Sequence, residues 1–146
     1  MDNIKIVNFN REHQKIDFPN YLSLSSKDAL KIQEIFKKKI LGNQIYDALS
    51  LVEKIDSLGC TIEGENAESI GFSITKILIL KSVKVPGFIY LNWYRYDKID
   101  KISLKEIEKY FLDIWYPELD DIDIFDDSFS WILSITHFGC IKFLKI

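Results

Sequence analysis

The chain has 146 residues, 47% of them hydrophobic, and a net charge of −3, enough for one domain with a sizeable core. Its 10 Phe, 7 Tyr and 3 Trp exclude a disordered polymer, and the absence of a Lys/Arg stripe with a high pI argues against direct nucleic-acid binding. The longest apolar run, Ile77–Leu80, is too short to cross a bilayer, and the opening MDNIKIVNFN lacks the apolar stretch of a secretory signal, so a cytoplasmic protein without a membrane partner is expected.

Taken in order, Ile4 to Phe9 reads as a first strand, with Ile4, Ile6 and Asn8 on one side and Lys5, Val7 and Phe9 on the other. Asn10 to Asn20 is a loop punctuated by Phe18-Pro19-Asn20. Ser25 or Ser26 caps a helix to Leu41, with Asp28 in its first turn and Gly42 just past its end. The apolar stripe of that helix is Ala29, Ile32, Ile35, Phe36 and Ile40, and Lys37-Lys38-Lys39 suits its negative end. A second helix, Asn43 to Leu58, buries Ile45, Ala48, Leu49, Val52 and Ile55, and the short junction predicts an antiparallel helical hairpin.

Thr61 to Ser69 is polar and turn-rich. Gly71 to Lys81 reads as a central strand whose Ile77-Leu78-Ile79-Leu80 core is buried on both faces. Pro86-Gly87 turns the chain into a further strand, Phe88 to Tyr96, with one amphipathic face. Ser103 opens a helix through the capping box Ser103-x-x-Glu106, with Leu104, Ile107, Phe111 and Ile114 on one side and Trp115-Tyr116-Pro117 at its end. From Asp120 to Ile146 three short strands follow. A three-residue loop, His137-Phe138-Gly139, pairs Ile135 with Ile141, Leu133 with Phe143 and Trp131 with Lys145, and so gathers the apolar side chains on one face. Gly139 supplies the left-handed residue of that turn. The fold class is α+β: residues 1–146 form a single domain, a mainly antiparallel sheet with an N-terminal helical hairpin and a further helix packed on it.

Chemistry concentrates in one place. From Asp113 to Asp127 there are seven acids and no Lys or Arg, so this segment carries −7 and the rest of the chain +4. With Ile122 and Ile124 inward, Asp121 and Asp123 point outward as a solvated strand face that tolerates substitution. A protein-binding patch and a metal site are the alternatives. The EF-hand pattern fails, because its sixth and twelfth positions counted from Asp121 are Asp126 and Ile132. Trp115, Tyr116 and Phe125 flank the acids as candidate aromatic anchors. His137 lies three residues before Cys140, a spacing that invites a nucleophile–base pair; the hairpin instead puts His137 in the turn and Cys140 opposite the apolar face. His13 has no partner in sequence. Cys60 and Cys140 are isolated and read as reduced thiols. No metal, cofactor or catalytic motif is present.

The helix ending in Trp115-Tyr116-Pro117, the strand Asp120-Asp-Ile-Asp-Ile-Phe-Asp126 and the segment Ser130-Trp-Ile-Leu-Ser-Ile-Thr-His-Phe-Gly139 resemble small bacterial immunity proteins of polymorphic-toxin and contact-dependent growth inhibition systems. The resemblance covers Ser103 to Ile146. It implies a non-enzymatic, cytosolic inhibitor, taken as a monomer, without cofactor or metal, whose partner is a cognate toxin domain, often a basic nuclease. The partner-binding surface would then comprise Trp115, Tyr116, Glu118, Asp120, Asp121, Asp123, Asp126 and Asp127. The alternatives are a small enzyme using His137 with nearby carboxylates, and a non-inhibitory adaptor. An enzyme is expected to gather His137 and carboxylates in a concave pocket, an inhibitor to show a flat or convex acidic patch.

Overall fold

The strictest expectation is the C-terminal hairpin, and it is met. In a computed structural model, which describes residues 1–42 and 47–146, Trp131 faces Lys145, Leu133 faces Phe143 and Ile135 faces Ile141. Gly139 sits at φ +73°, and a Cβ there would collide with the Asn66 side chain. The chain runs α1 (Asn3–Glu12), β1 (Tyr21–Ser23), α2 (Ser26–Phe36) continued by a π-helical turn (Lys37–Leu41), α3 (Ala48–Leu58) and β2 (Cys60–Thr61). It continues with α4 (Ile74–Leu80), β3 (Phe88–Asn92), β4 (Ile99–Ser103), α5 (Leu104–Lys109), α6 (Phe111–Ile114), β5 (Ile122–Phe125), β6 (Trp131–Ile135) and β7 (Ile141–Lys145). The strands form one antiparallel sheet in the order β1-β4-β3-β5-β6-β7-β2. The α+β class and the antiparallel sheet stand as expected.

The sheet has helices on both faces. Ile89, Leu91, Ile122, Ile124, Leu133, Ile135, Ile141 and Phe143 pack with Phe9 of α1, Ile74 and Ile77 of α4, and Ile107, Phe111 and Ile114 of α5 and α6. On the opposite face Tyr90, Phe125 and Ile132 pack with Ala29, Ile32 and Phe36 of α2 and Leu51 and Ile55 of α3. All four residues of β5 are therefore buried, and Asp123 is not the solvated position its alternation with Ile122 and Ile124 suggests.

Two expected strands are helices. Residues Ile4 to Phe9 lie in α1, capped by the Asp2 carboxylate on the Ile4 N–H; Lys5 and Phe9, one helical repeat apart, are buried, while Ile4 and Val7 are exposed. The buried stripe contains a lysine, which is why alternation looked like the better pattern. Residues Ile74 to Leu80 form α4, capped by Ser73. The Glu108 carboxylate also receives the Thr75 N–H at 2.7 Å and the Thr75 hydroxyl at 2.8 Å. Ile77 and Leu78 are buried, but Ile79 and Leu80 are 62% and 69% exposed, as one helical face requires.

Smaller corrections follow the same logic. The strand from Phe88 stops at Asn92, because residues 93–96 turn back and β4 pairs antiparallel with β3. Ser103 holds the cap position of α5 without a side-chain capping bond, and Tyr110 divides α5 from α6. Ser25 caps α2 as expected. In α3 the buried residues are Leu51 and Ile55, with Leu49 exposed; the expected start of this helix at Asn43, and Ile45, lie outside the described residues.

Two substitution series check the arrangement by chemical denaturation. Trp131→Ala, Leu133→Ala and Leu78→Ala are each expected to cost about 2–5 kcal/mol, as large core truncations do. Leu80→Ala is expected within about 0.5 kcal/mol of wild type. Equal losses at Leu78 and Leu80 would restore the two-sided strand.

Candidate functional site

Most of the acidic segment is engaged in hydrogen bonds or ion pairs within the chain. Asp120 forms an ion pair with Lys5, whose ammonium also donates to the Ile114 carbonyl at 2.7 Å. The same ammonium lies 4.0 Å from the centre of the Tyr116 ring. Asp120 accepts the Tyr116 N–H at 2.7 Å, and its carbonyl accepts the Trp115 indole N–H at 2.8 Å. Trp115 is fully buried, so it is a core residue and not an exposed anchor; Phe125 is likewise core. Asp126 closes a local turn on the Ser128 N–H at 3.0 Å. Asp127 accepts from the Tyr90 hydroxyl and from Lys101 at 3.1 Å. Glu118 is exposed and makes no ion pair among the described residues.

Asp121 organises the turn. One of its oxygens accepts both the His137 N–H at 2.8 Å and His137 Nδ1 at 2.9 Å. The Glu118 N–H donates to the His137 carbonyl at 2.7 Å, which ties the loop after Pro117 to the same turn. A third loop joins them: the Ala67 N–H donates to the Gly139 carbonyl at 2.9 Å and the Asn66 amide to the Phe138 carbonyl at 3.3 Å. Glu65 and Glu68, which the acidic-run pattern overlooked, are thereby brought to the same end of the sheet as Glu118. Phe138 and Leu119 stand among them 67% and 77% exposed.

Behind the turn, the α2/α3 face of the sheet is only half covered. Tyr90, Phe125, Ile132 and Leu144 lie under the helices; the next cross-strand row, Asn92–Asp123–Ser134–Lys142, lies at the margin of that cover. Beside it opens a cleft of about 480 Å³ bounded by Val52 and Ile55 of α3, Tyr94, Phe138, His137 and Cys140. Asp123, 7% exposed, accepts from the Ser134 hydroxyl and from the Asn92 amide at 3.1 Å. Burial pushes its carboxyl above the ordinary range; the hydrogen-bond donors oppose the shift and the charge of Asp121 adds to it. The Tyr96 hydroxyl lies near enough to be pushed well up by burial and by Asp123, yet makes no hydrogen bond of ordinary geometry. Asn92 holds the neighbouring turn, accepting the Tyr96 N–H at 2.7 Å and donating to the Tyr94 carbonyl at 3.1 Å. Tyr94 and Tyr96 adopt φ +80° and +60° there, a conformation that side-chain-bearing residues rarely take.

His13 meets Asp113 at 3.1 Å, its ring held against Phe9 and Tyr110. With Glu12 these groups come within 4.8 Å of one another, the one such metal-sized cluster among the described residues. Both thiols are exposed, and no hydrogen bond joins Cys140 to His137.

No protein-family model, no curated protein and no solved structure matches the chain. Among the described residues no helix is long and apolar enough to cross a membrane.

Three predictions follow from how these acids are held. Asp120→Ala strands Lys5, 3% exposed, and is expected to cost about 3–5 kcal/mol; a midpoint equal to wild type would place both groups in water. For Asp123 the folded pKa is raised, so ionisation destabilises: the penalty is absent below the unfolded value of about 4 and complete above the folded one. Asp123→Asn is therefore expected to gain stability relative to wild type as pH rises from about 4 to 7. Asp127, which the Tyr90 hydrogen bond holds below the ordinary range, has the opposite sign. Its contribution is present above about pH 4 and lost as pH falls through the lowered value, so Asp127→Asn should compare worst with wild type at neutral pH. Urea melts taken from about pH 7 to well below about 4 cover both windows; matching trends for the two variants would contradict the assignment.

Proposed function

We propose that the chain is an immunity-type inhibitor, a single domain that binds a basic toxin domain through the end of the sheet where the His137 turn, the Glu118 loop and the Asn66 loop meet. The observation that carries this reading is the exposure of Phe138 and Leu119 among Glu65, Glu68 and Glu118, three exposed acids that make no ion pair among the described residues. Apolar anchors within a charged rim are the anatomy of a protein interface, and unpaired rim carboxylates raise the rate of encounter with a basic partner. The resemblance of Ser103–Ile146 to immunity proteins supports a toxin as that partner. Of the residues expected at the surface, Glu118 and Asp121 belong to this end, whereas Trp115, Asp120 and Asp123 serve the interior.

A second reading, a small enzyme, is favoured by the concave cleft that brings His137, Asp121, Asp123 and Cys140 together. Against it, the Asp121–His137 pair closes the turn, and Cys140 has no hydrogen bond to a base.

Co-expression with a basic toxin domain, sought in the neighbouring gene, separates the two. Phe138→Ser, Leu119→Ser and Glu118→Lys are expected to lose protection with an unchanged melting temperature, and the wild-type association rate is expected to fall with salt as screening shortens the field to about 8 Å. Cys140→Ser is expected to protect fully, and Cys140 to alkylate at the rate of an ordinary thiol. Full protection by all three surface variants would sink the inhibitor reading; a Cys140 thiolate titrating far below about 8.5 would raise the enzyme in its place.

A further inference from the structure

The cleft behind the turn has a floor and walls of different chemistry. Its walls are apolar or aromatic: Val52 and Ile55 from α3, Tyr94 from the strained turn and Phe138 from the hairpin. Its floor holds Asp123, a carboxylate 7% exposed that makes no ion pair among the described residues. Lys142, the basic residue in the same cross-strand row, is drawn away to the Asp56 carboxylate at 2.6 Å and the Asp56 carbonyl at 3.1 Å. The charge nearest in effect is Asp121, which is also negative. A carboxylate offers about four acceptor positions; Ser134 and Asn92 occupy one each, and the Tyr96 hydroxyl lies close by without a bond of ordinary geometry.

A buried anion without a counter-charge is costly. A fold that only needed filling at this row could place an apolar residue there, as it does at Phe125 and Ile132 in the rows beneath α2 and α3. Tyr94 points the same way. Its left-handed backbone is held by Asn92, the residue that also donates to Asp123, so one buried amide positions both the aromatic wall and the anionic floor. Backbone strain of this kind persists where the surroundings over-determine it, characteristically at binding sites.

We propose that this cleft seats an arginine side chain of the partner protein, its methylene stem against Ile55 and Phe138 and its guanidinium bonded to Asp123 beside Tyr94, a ring that the chain's own Arg95 guanidinium approaches to 5.3 Å. Arginine fits better than other cations because its plane stacks on aromatic rings while its edge donates to a carboxylate, and it is weakly hydrated for its charge. The site lies next to the exposed Phe138, so one protein surface reaches both. The protein origin of the arginine rests on the inhibitor reading; the cleft's chemistry does not.

The test is a titration of the ¹⁵N-labelled full chain with acetyl-Gly-Arg-Gly-amide, followed by amide shifts. Citrulline in place of arginine is the uncharged control, and agmatine represents a free small cation. Saturable shifts are expected at Val52, Ile55, Tyr94, Ser134 and Phe138, at least about tenfold weaker binding of the citrulline peptide, and a similar loss in Asp123→Asn, the size of one charged hydrogen bond. Tyr94→Gly, which suits the positive φ and keeps the fold, is expected to weaken binding several-fold at an unchanged melting temperature; it keeps the test sound if Asp123→Asn does not fold. Equal binding of the citrulline peptide, or wild-type affinity in either variant, overturns the proposal. Agmatine binding about tenfold tighter than the peptide also overturns it, in favour of a small-molecule cation. The inhibitor reading fails separately, if the peptide behaves as expected while the Phe138 and Glu118 variants still protect.

Discussion

A seven-stranded antiparallel sheet has two faces to keep from water, and this chain has helices enough for one face and half of the other. α1, α4, α5 and α6 close the face that carries Ile122, Leu133 and Ile141. α2, the π-helical turn and α3 reach over Tyr90, Phe125 and Ile132 and stop there. β3, β5, β6 and β7 cross the edge of that cover, and at the crossing their side chains change from aromatic and aliphatic to Asn92, Asp123, Ser134 and Lys142. The cleft, the buried carboxylate and the strained Tyr94 turn all follow from where the helices end.

The acidic segment shows how little a charge run says about a surface. Lys5 is 115 residues from Asp120 in sequence, yet its ammonium is the counter-charge. The pair lets α1 dock a lysine-bearing face beside Trp115 and Tyr116. Asp127 is tied to Tyr90 and Lys101 across the sheet, and Asp121 to the turn sixteen residues on. The excess negative potential that remains at the surface comes in part from Glu65, Glu68 and Glu118, residues scattered in sequence and assembled by backbone hydrogen bonds between three loops.

An exposed apolar pair, an acidic rim and a cleft with an unpaired carboxylate therefore share one end of the molecule. These are the features on which the proposed recognition of a basic protein surface rests.

Local pattern settled whatever depended on neighbours in sequence. The β6–β7 register followed from alternation plus one glycine, because a one-residue slip would turn every apolar side chain over. The start of α2 followed from Ser25 and a helical stripe. Cys140 was correctly assigned to the face opposite Leu133. Tertiary structure decided the rest. A buried lysine disguised α1 as a strand, since its partner Asp120 is distant in sequence. The short run Ile77–Leu80 has no periodicity that separates helix from strand; it became a helix because Ser73 and the Glu108 carboxylate cap its start. Asp123 reads as a surface residue because burial of the sheet's second face depends on α2 and α3, far from β5 in sequence; Trp115 does so because its place in the core of the other face is set by α1 and α4 as well as its own helix. No window of sequence contains that information.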